Sequence, residues 1–197
     1  MKSAFVLSTT LCTVFVTQGL LAAPKQNLLE LGSAQVSQGC DMKPSKISLK
    51  KGNILVPFRL SVALESESSE VSVARKNCVV SIPLEIPANR ALVIDGVEVD
   101  QSQSLTVGTS SKLQVEVFKA GLQNQPLVID NNAVKKNLIA KSTVTQKTSV
   151  LFGCGESGLL RVNASALLRT IKESSQSAAR LSNLKISTKL ISCEQGR

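Results

Sequence analysis

The chain has 197 residues, with 23 Lys and Arg against 14 Asp and Glu, a net charge of +9, and no histidine, tryptophan or tyrosine. The missing histidine removes the commonest general base, the Ser-His-Asp arrangement and imidazole metal ligands. The missing Trp and Tyr remove the stacking platforms on which carbohydrate modules and nucleic-acid grooves rely, so nucleic acid is not an expected partner.

The N-terminus reads as an export signal. Met1-Lys2 supplies a positive charge, Ala4 to Val16 is an uncharged, mostly apolar run, and Leu20–Ala23 follows with small residues at its exit. Cleavage is expected after Ala22, because cleavage after Ala23 would leave Pro24 at the new terminus. The apolar run is too short and too rich in Ser and Thr for a membrane anchor. No later stretch approaches the ~18 apolar residues of a membrane helix. The expected mature protein therefore has about 175 residues, enough for one domain, and is secreted or periplasmic.

Cys12 leaves with the signal, since no small-residue lipobox precedes it. Cys40, Cys78, Cys154 and Cys193 remain. An even count in an exported chain argues for disulfides, and four thiols allow three connectivities. No C-x-x-C spacing accompanies them, so a structural metal site is not expected. No sequence signal calls for a cofactor.

Residues 23–39 read as a polar lead-in with one apolar patch, Leu28-Leu29-Glu30-Leu31, ahead of a single domain over 40–197. Ile54, Val56, Phe58, Leu60, Val62 and Leu64 then alternate without a miss, which predicts one long half-buried strand or two joined by a bend at Pro57. Cys78, Val80, Ile82, Leu84 and Ile86 alternate next and place Cys78 on the apolar face. Pro83 and Pro87 lack donors, which predicts an edge strand or prolines at bulges. Ala91–Ile94, Asp95-Gly96 and Val97–Val99 predict a hairpin with a type I′ turn. Leu113, Val115 and Val117 give a strand ended near Gly121, and residues 122–142 have no clear period. Val144 to Phe152 reads as a strand running into Gly153-Cys154-Gly155. Leu160, Val162 and Ala164 start another, and Leu184, Ile186, Thr188 and Leu190 form the last. Between them, residues 165–181 fit a long serine-broken loop, with a short helix as the alternative. The sum is an all-β chain, an antiparallel β-sandwich of about 8–10 strands.

The residues Gly39-Cys40, Arg75-Lys76-Asn77-Cys78, Pro87, Cys154-Gly155-Glu156-Ser157 and Cys193 follow a recognisable order. In that order the chain resembles the secreted proteins grouped as domain of unknown function 4360, over about residues 39–194. It departs from the family at Asp41, where proline is usual, and at Leu190-Ile191, where aromatics are common. The resemblance implies a β-sandwich with Cys40 paired to Cys78 and Cys154 to Cys193. Each bridge would close a loop of about 40 residues, worth roughly 4 kcal/mol of chain entropy. The resemblance implies no activity. Arg75, Lys76 and Asn77 are a possible binding group, or serve the structure beside the disulfide.

Other candidate chemistry is thin. Ser48/Lys51 and Ser182/Lys185 match Ser-x-x-Lys, but i and i+3 in a strand point to opposite faces. Asp95, Glu98 and Asp100 lack the spacing of a calcium loop. Glu65, Glu67 and Glu70 form a small acidic patch. Asn163-Ala164-Ser165 fits the glycan-acceptor pattern. Residues 161–197 hold seven basic and two acidic residues, the most one-sided charge in the chain. These observations favour an exported non-enzymatic sandwich, structural or adhesive at the cell envelope or in the medium. The alternatives are a binder of anionic surfaces (lipid, lipopolysaccharide or acidic glycan) through the basic C-terminal third, and a secreted hydrolase or protease inhibitor.

Overall fold

In the computed structural model, described over residues 28–66, 71–171 and 175–193, the period-2 runs become the strands of two antiparallel sheets. The export signal assigned to residues 1–22 lies outside the described residues, as do Glu67 and Glu70. The strands are β1 (Glu30–Leu31), β2 (Gln35–Val36), β3 (Ser48–Lys50), β4 (Asn53–Ser66), β5 (Ser72–Glu85), β6 (Arg90–Leu105), β7 (Thr109–Lys119), β8 (Leu127–Asn132), β9 (Leu138–Phe152), β10 (Ser157–Thr170) and β11 (Ser175–Ser192). Sheet A runs β1-β5-β10-β7-β8, with β2 also paired to β5, and sheet B runs β3-β4-β11-β6-β9.

Alternate residues of each strand point into one core between the sheets. Ile54, Val56, Phe58, Leu60, Val62 and Leu64 of β4 meet Cys78, Val80, Ile82 and Leu84 of β5, all buried. With few aromatics available, Ile, Leu and Val fill most of this space, and Phe58 and Phe152 are its two largest buried side chains. Each such side chain contributes about 1.5–3 kcal/mol on full burial. One region of the core is polar instead. There the buried Gln103 donates to Gln101 Oε1 at 3.1 Å and accepts from the Ser111 hydroxyl, and Gln101 donates to Ser142 Oγ at 2.8 Å. Buried amides are tolerated where they are bonded in this way.

Both disulfides form as the resemblance implies. Cys40 is bridged to Cys78 with Cα atoms 4.7 Å apart, and Cys154 to Cys193 at 6.1 Å, both within the usual span. The first ties the lead-in to β5. The second joins the residues that follow β9 and β11, the two neighbours of β6 in sheet B.

The structure corrects three local expectations. Asp95-Gly96 is not a hairpin turn: β6 runs through it without a break, and the pairing to β9 and β11 slips by one residue there. A type I′ turn needs positive φ at both central residues; neither Asp95 nor Gly96 has it. The pair makes a β-bulge, the other regular use of glycine in a strand. Positive φ occurs instead at Lys51 (49°) and Gly52 (72°), which close the two-residue hairpin between β3 and β4.

Residues 165–181 are neither a long loop nor a helix. β10 continues to Thr170 and β11 begins at Ser175. Ala166, Leu168 and Thr170 extend the inward set, whereas Ile171, which a helix would have counted on its apolar side, is exposed. The serines mislead because Ser177 is a core residue: it is buried and bonded to the Thr106 and Thr109 hydroxyls at 3.0 and 3.1 Å.

β5 is not an edge strand, and its pairing to β10 runs without a register shift from Ser72 to Glu85. Its other side is covered by β1 and β2. The Gly32 N–H donates to the Pro83 carbonyl at 2.8 Å, so the Pro83 backbone faces the lead-in. The donor that Pro83 lacks falls where the ladder passes from β1 to β2. Pro57 likewise lies opposite a break in the ladder. β4 is one strand of 14 residues, and it carries one extra residue where Pro57 and Phe58 stand opposite Asn183 (φ 51°) of β11.

Candidate binding face

The outer face of sheet A is built by the residues that alternate with the core set of β5, β10 and β7. Pairing register fixes which of them meet. Val79, Asn163 and Glu116 form one row across the sheet, and Asn77, Ser165 and Gln114 the next. Arg75 stands beside Leu167 in the row after that. Arg75, Asn77, Gln114, Glu116, Asn163 and Ser165 line a shallow furrow of about 290 Å³. Arg75 Nε donates to Asn77 Oδ1 at 3.3 Å, and Glu116 Oε1 accepts the Asn124 N–H at 3.4 Å.

The structure therefore brings together two of the three residues singled out in the sequence and separates the third. Lys76 is one residue out of phase. It pairs with Ala166, a core position, and is exposed where the core face opens. Gln114 and Glu116 carried no signal of their own in the sequence, and Ser165 was noted only as part of the glycan-acceptor pattern at Asn163. Only the register of three strands adjacent in space, not in sequence, places them beside Asn77. Asn163, noted as a glycan-acceptor position, lies at the middle of this face and is half-buried.

Gly39 seats the lead-in against the same strand. A Cβ at Gly39 would overlap the Asn77 carbonyl oxygen, so only glycine permits this approach beside the Cys40–Cys78 bridge.

The remaining candidates go elsewhere. Glu98 is 3.4 Å from Lys185, and Asp100 accepts hydrogen bonds from Thr143 and Asn183 at 2.7 and 3.1 Å. The bonds from Thr143 and Asn183 hold the Asp100 carboxyl below its ordinary range. Ser182 and Lys185 do share a face, because the bulge at Asn183 cancels the parity that would have separated them. Lys185 is nevertheless directed to Glu98. Lys51 occupies the β3–β4 turn.

Glu156, in the Cys154-Gly155-Glu156-Ser157 motif, has a structural task. Its carboxylate takes the Lys119 ammonium on one oxygen and the Gly153 N–H, at 2.6 Å, on the other. Lys119 and Gly153 together lower its pKa. Lys119 also lies 5.4 Å over the Phe152 ring, so one ion pair clamps the turn that carries the second disulfide.

Among the described residues, the basic side chains of the C-terminal third do not form one patch; Lys172 and Arg197 lie outside the described residues. Arg161 and Arg169 lie on the outer face of sheet A, and Arg180 and Lys185 on the outer face of sheet B.

No curated protein matches the sequence. Among solved structures, the chain is similar to TmCBM61 in complex with β-1,4-galactotriose, at 11% identity and a TM-score of 0.26, covering 81% of this chain and 88% of that one. It is also similar to a chain of the infectious bursal disease virus Gx strain, at 12% identity and a TM-score of 0.16, covering 76% of this chain and 49% of that one. At such scores neither neighbour's ligand or assembly is carried over. Residues 33–191 match the family model described as Domain of unknown function (DUF4360), and the chain belongs to that family.

Proposed function

We propose that this is an exported, non-enzymatic β-sandwich with a structural or adhesive role at the cell envelope or in the medium, and that it meets its partner through the outer face of sheet A. The observation that carries the reading is the furrow itself. Six polar side chains from three neighbouring strands converge on a sheet face, and neither Arg75 nor Glu116 is in an ion pair with a described residue. Such a surface offers fixed donors and acceptors to a partner, and no paired nucleophile and base. The two disulfides support an oxidising compartment, which agrees with the export signal expected over residues 1–22 and with secreted or periplasmic placement. The division of the basic residues between two faces weighs against a single anionic-surface patch in the C-terminal third.

The test is a pull-down with the mature protein, residues 23–197, on its own cell envelope and culture medium. Retention that falls in the Arg75→Ala/Asn163→Ala double variant, while the melting temperature holds, supports the reading. Full retention by that variant removes the sheet A face as the contact. Turnover in a broad hydrolase screen would overturn the non-enzymatic assignment.

A further inference from the structure

The outer face of sheet B carries a depression of about 590 Å³ across β6, β9 and β11, and every residue lining it is polar. Two register rows build it: Arg180, Ser102 and Lys141, then Ser182, Asp100 and Thr143. The Asp100 carboxylate is fixed at its centre. The Thr143 hydroxyl donates to Oδ1 at 2.7 Å and the Asn183 amide to Oδ2 at 3.1 Å.

Asn183 reaches Asp100 from the β-bulge that β11 makes opposite Val99 of β6, with φ 51°. It is one of two described non-glycine residues in the left-handed region, and Lys51 in its turn is the other. Bulges commonly re-aim a side chain in this way, and here the unusual backbone brings a carboxamide to a carboxylate. Each Asp100 oxygen has two lone pairs and uses one on these partners. Arg180 and Lys141 stand on the strands either side of β6, about 10 Å apart at two strand spacings. Neither is in an ion pair with a described carboxylate.

The arrangement discriminates among ligand classes. An apolar ligand meets no apolar side chain there. A bare anion such as phosphate is drawn by the two cations but repelled by Asp100 between them. A neutral polyol satisfies Asp100 and leaves both cations unused. A ligand that carries hydroxyl donors beside an anionic group uses all three. We propose that the depression binds an acidic sugar residue of a glycan, whose ring hydroxyls donate to Asp100 and whose carboxylate accepts from Arg180 or Lys141. Hydrogen bonds to charged groups supply this recognition, so it does not need the aromatic stacking that the composition rules out. The site is on the opposite side of the sandwich from the furrow of sheet A and does not rest on that reading.

The test is a calorimetric or NMR titration of the folded protein with oligogalacturonate and hyaluronate oligomers, with cellotriose as the neutral probe and inorganic phosphate as the bare anion, in about 0.15 M salt. Saturable binding of at least one uronate oligomer is expected, weakened about tenfold or more by Asp100→Asn and by Arg180→Gln. Lys112→Gln, on the opposite face, should leave it unchanged. Arg180 is exposed, so its replacement keeps the test valid even where Asp100→Asn disturbs the fold. Absence of uronate binding, equal affinity for cellotriose or phosphate, or indifference to Arg180→Gln would overturn the proposal.

Discussion

Replacing Gly39 by alanine tests how closely the lead-in is seated on β5. The new Cβ would overlap the Asn77 carbonyl oxygen and come within 2.9 Å of its carbon. Asn77 is held on its other side by the pairing of β5 to β10, so the lead-in must give way. Two bonds fall first: the Ser37 N–H to the Val79 carbonyl and the Val79 N–H to Ser37 Oγ, each 2.9 Å. At about 1 kcal/mol each, their loss costs about 2 kcal/mol, or roughly 4–8 °C in melting temperature for a chain of this size. Should the retreat also prevent the Cys40–Cys78 bridge, which spans 38 residues, about 4 kcal/mol of chain entropy is lost as well. Thermal melts combined with a free-thiol count separate the two outcomes. Gly121→Ala is the control: it has nothing within 4 Å but a φ of +87°, so only backbone strain of about 1–2 kcal/mol is expected. A Gly39→Ala protein that melts within about 1 °C of the parent, with no free thiol, would refute the close approach.

Three further outcomes follow from the same geometry. Replacing both Cys154 and Cys193 by serine removes a bridge that spans 39 residues and should cost roughly 4 kcal/mol in denaturant unfolding. A loss below about 1 kcal/mol would show that the ends of β9 and β11 are held without it. Glu156 has a lowered native pKa, so the unfolded chain takes up its proton at a higher pH than the folded one. The stabilisation from Lys119 and Gly153 is then fully present above the ordinary glutamate range and is lost as pH falls through the lowered native value. Unfolding midpoints of the parent and Glu156→Gln should differ at neutral pH and converge on acidification; a gap independent of pH contradicts this. Lys51→Asn should raise stability by a few tenths to about 1 kcal/mol, because asparagine accepts the positive φ of the β3–β4 turn better than lysine does. A lower melting point would count against the turn.

The long strands were legible because each of them buries one face, and burial imposes a period of two on the sequence. β4 and the second half of β5 show that pattern cleanly. Legibility ended where the backbone departs from that period. Asp95-Gly96 has turn chemistry, yet its two flanking strands are one strand whose partners, β9 and β11, lie far away in sequence. Ser177 and the serines around it looked like a loop because their partners, Thr106 and Thr109, are some 70 residues distant. The Asn183 bulge inverted the face on which Lys185 was expected. The candidate face fared similarly. Arg75 and Asn77 were visible as a motif, but Gln114, Glu116 and Ser165 join them only through strand register, which no single stretch of sequence encodes.

Charge is where sequence order and spatial order part most clearly. β10 and β11 follow one another in the chain, but they belong to different sheets. The chain crosses from one layer to the other between Thr170 and Ser175. Arg161 and Arg169 are thereby placed on the side of the sandwich away from Arg180 and Lys185. Each set also meets acidic neighbours: Glu116 beside Asn163 on one face, Asp100 and Glu98 beside Ser182 and Lys185 on the other. A flat anionic surface finds no face of a single sign, so charge alone gives it little purchase. What each face presents is a fixed pattern of donors and acceptors, which selects a partner by complementarity. The two sheets pack about 10 Å apart, so two unlike polar faces stand back to back on one rigid core. On the proposed reading, that core can hold two partners at once, which is what an adhesive element requires. Substitutions on one face should then leave binding at the other untouched, so the two sites can be tested separately in one protein.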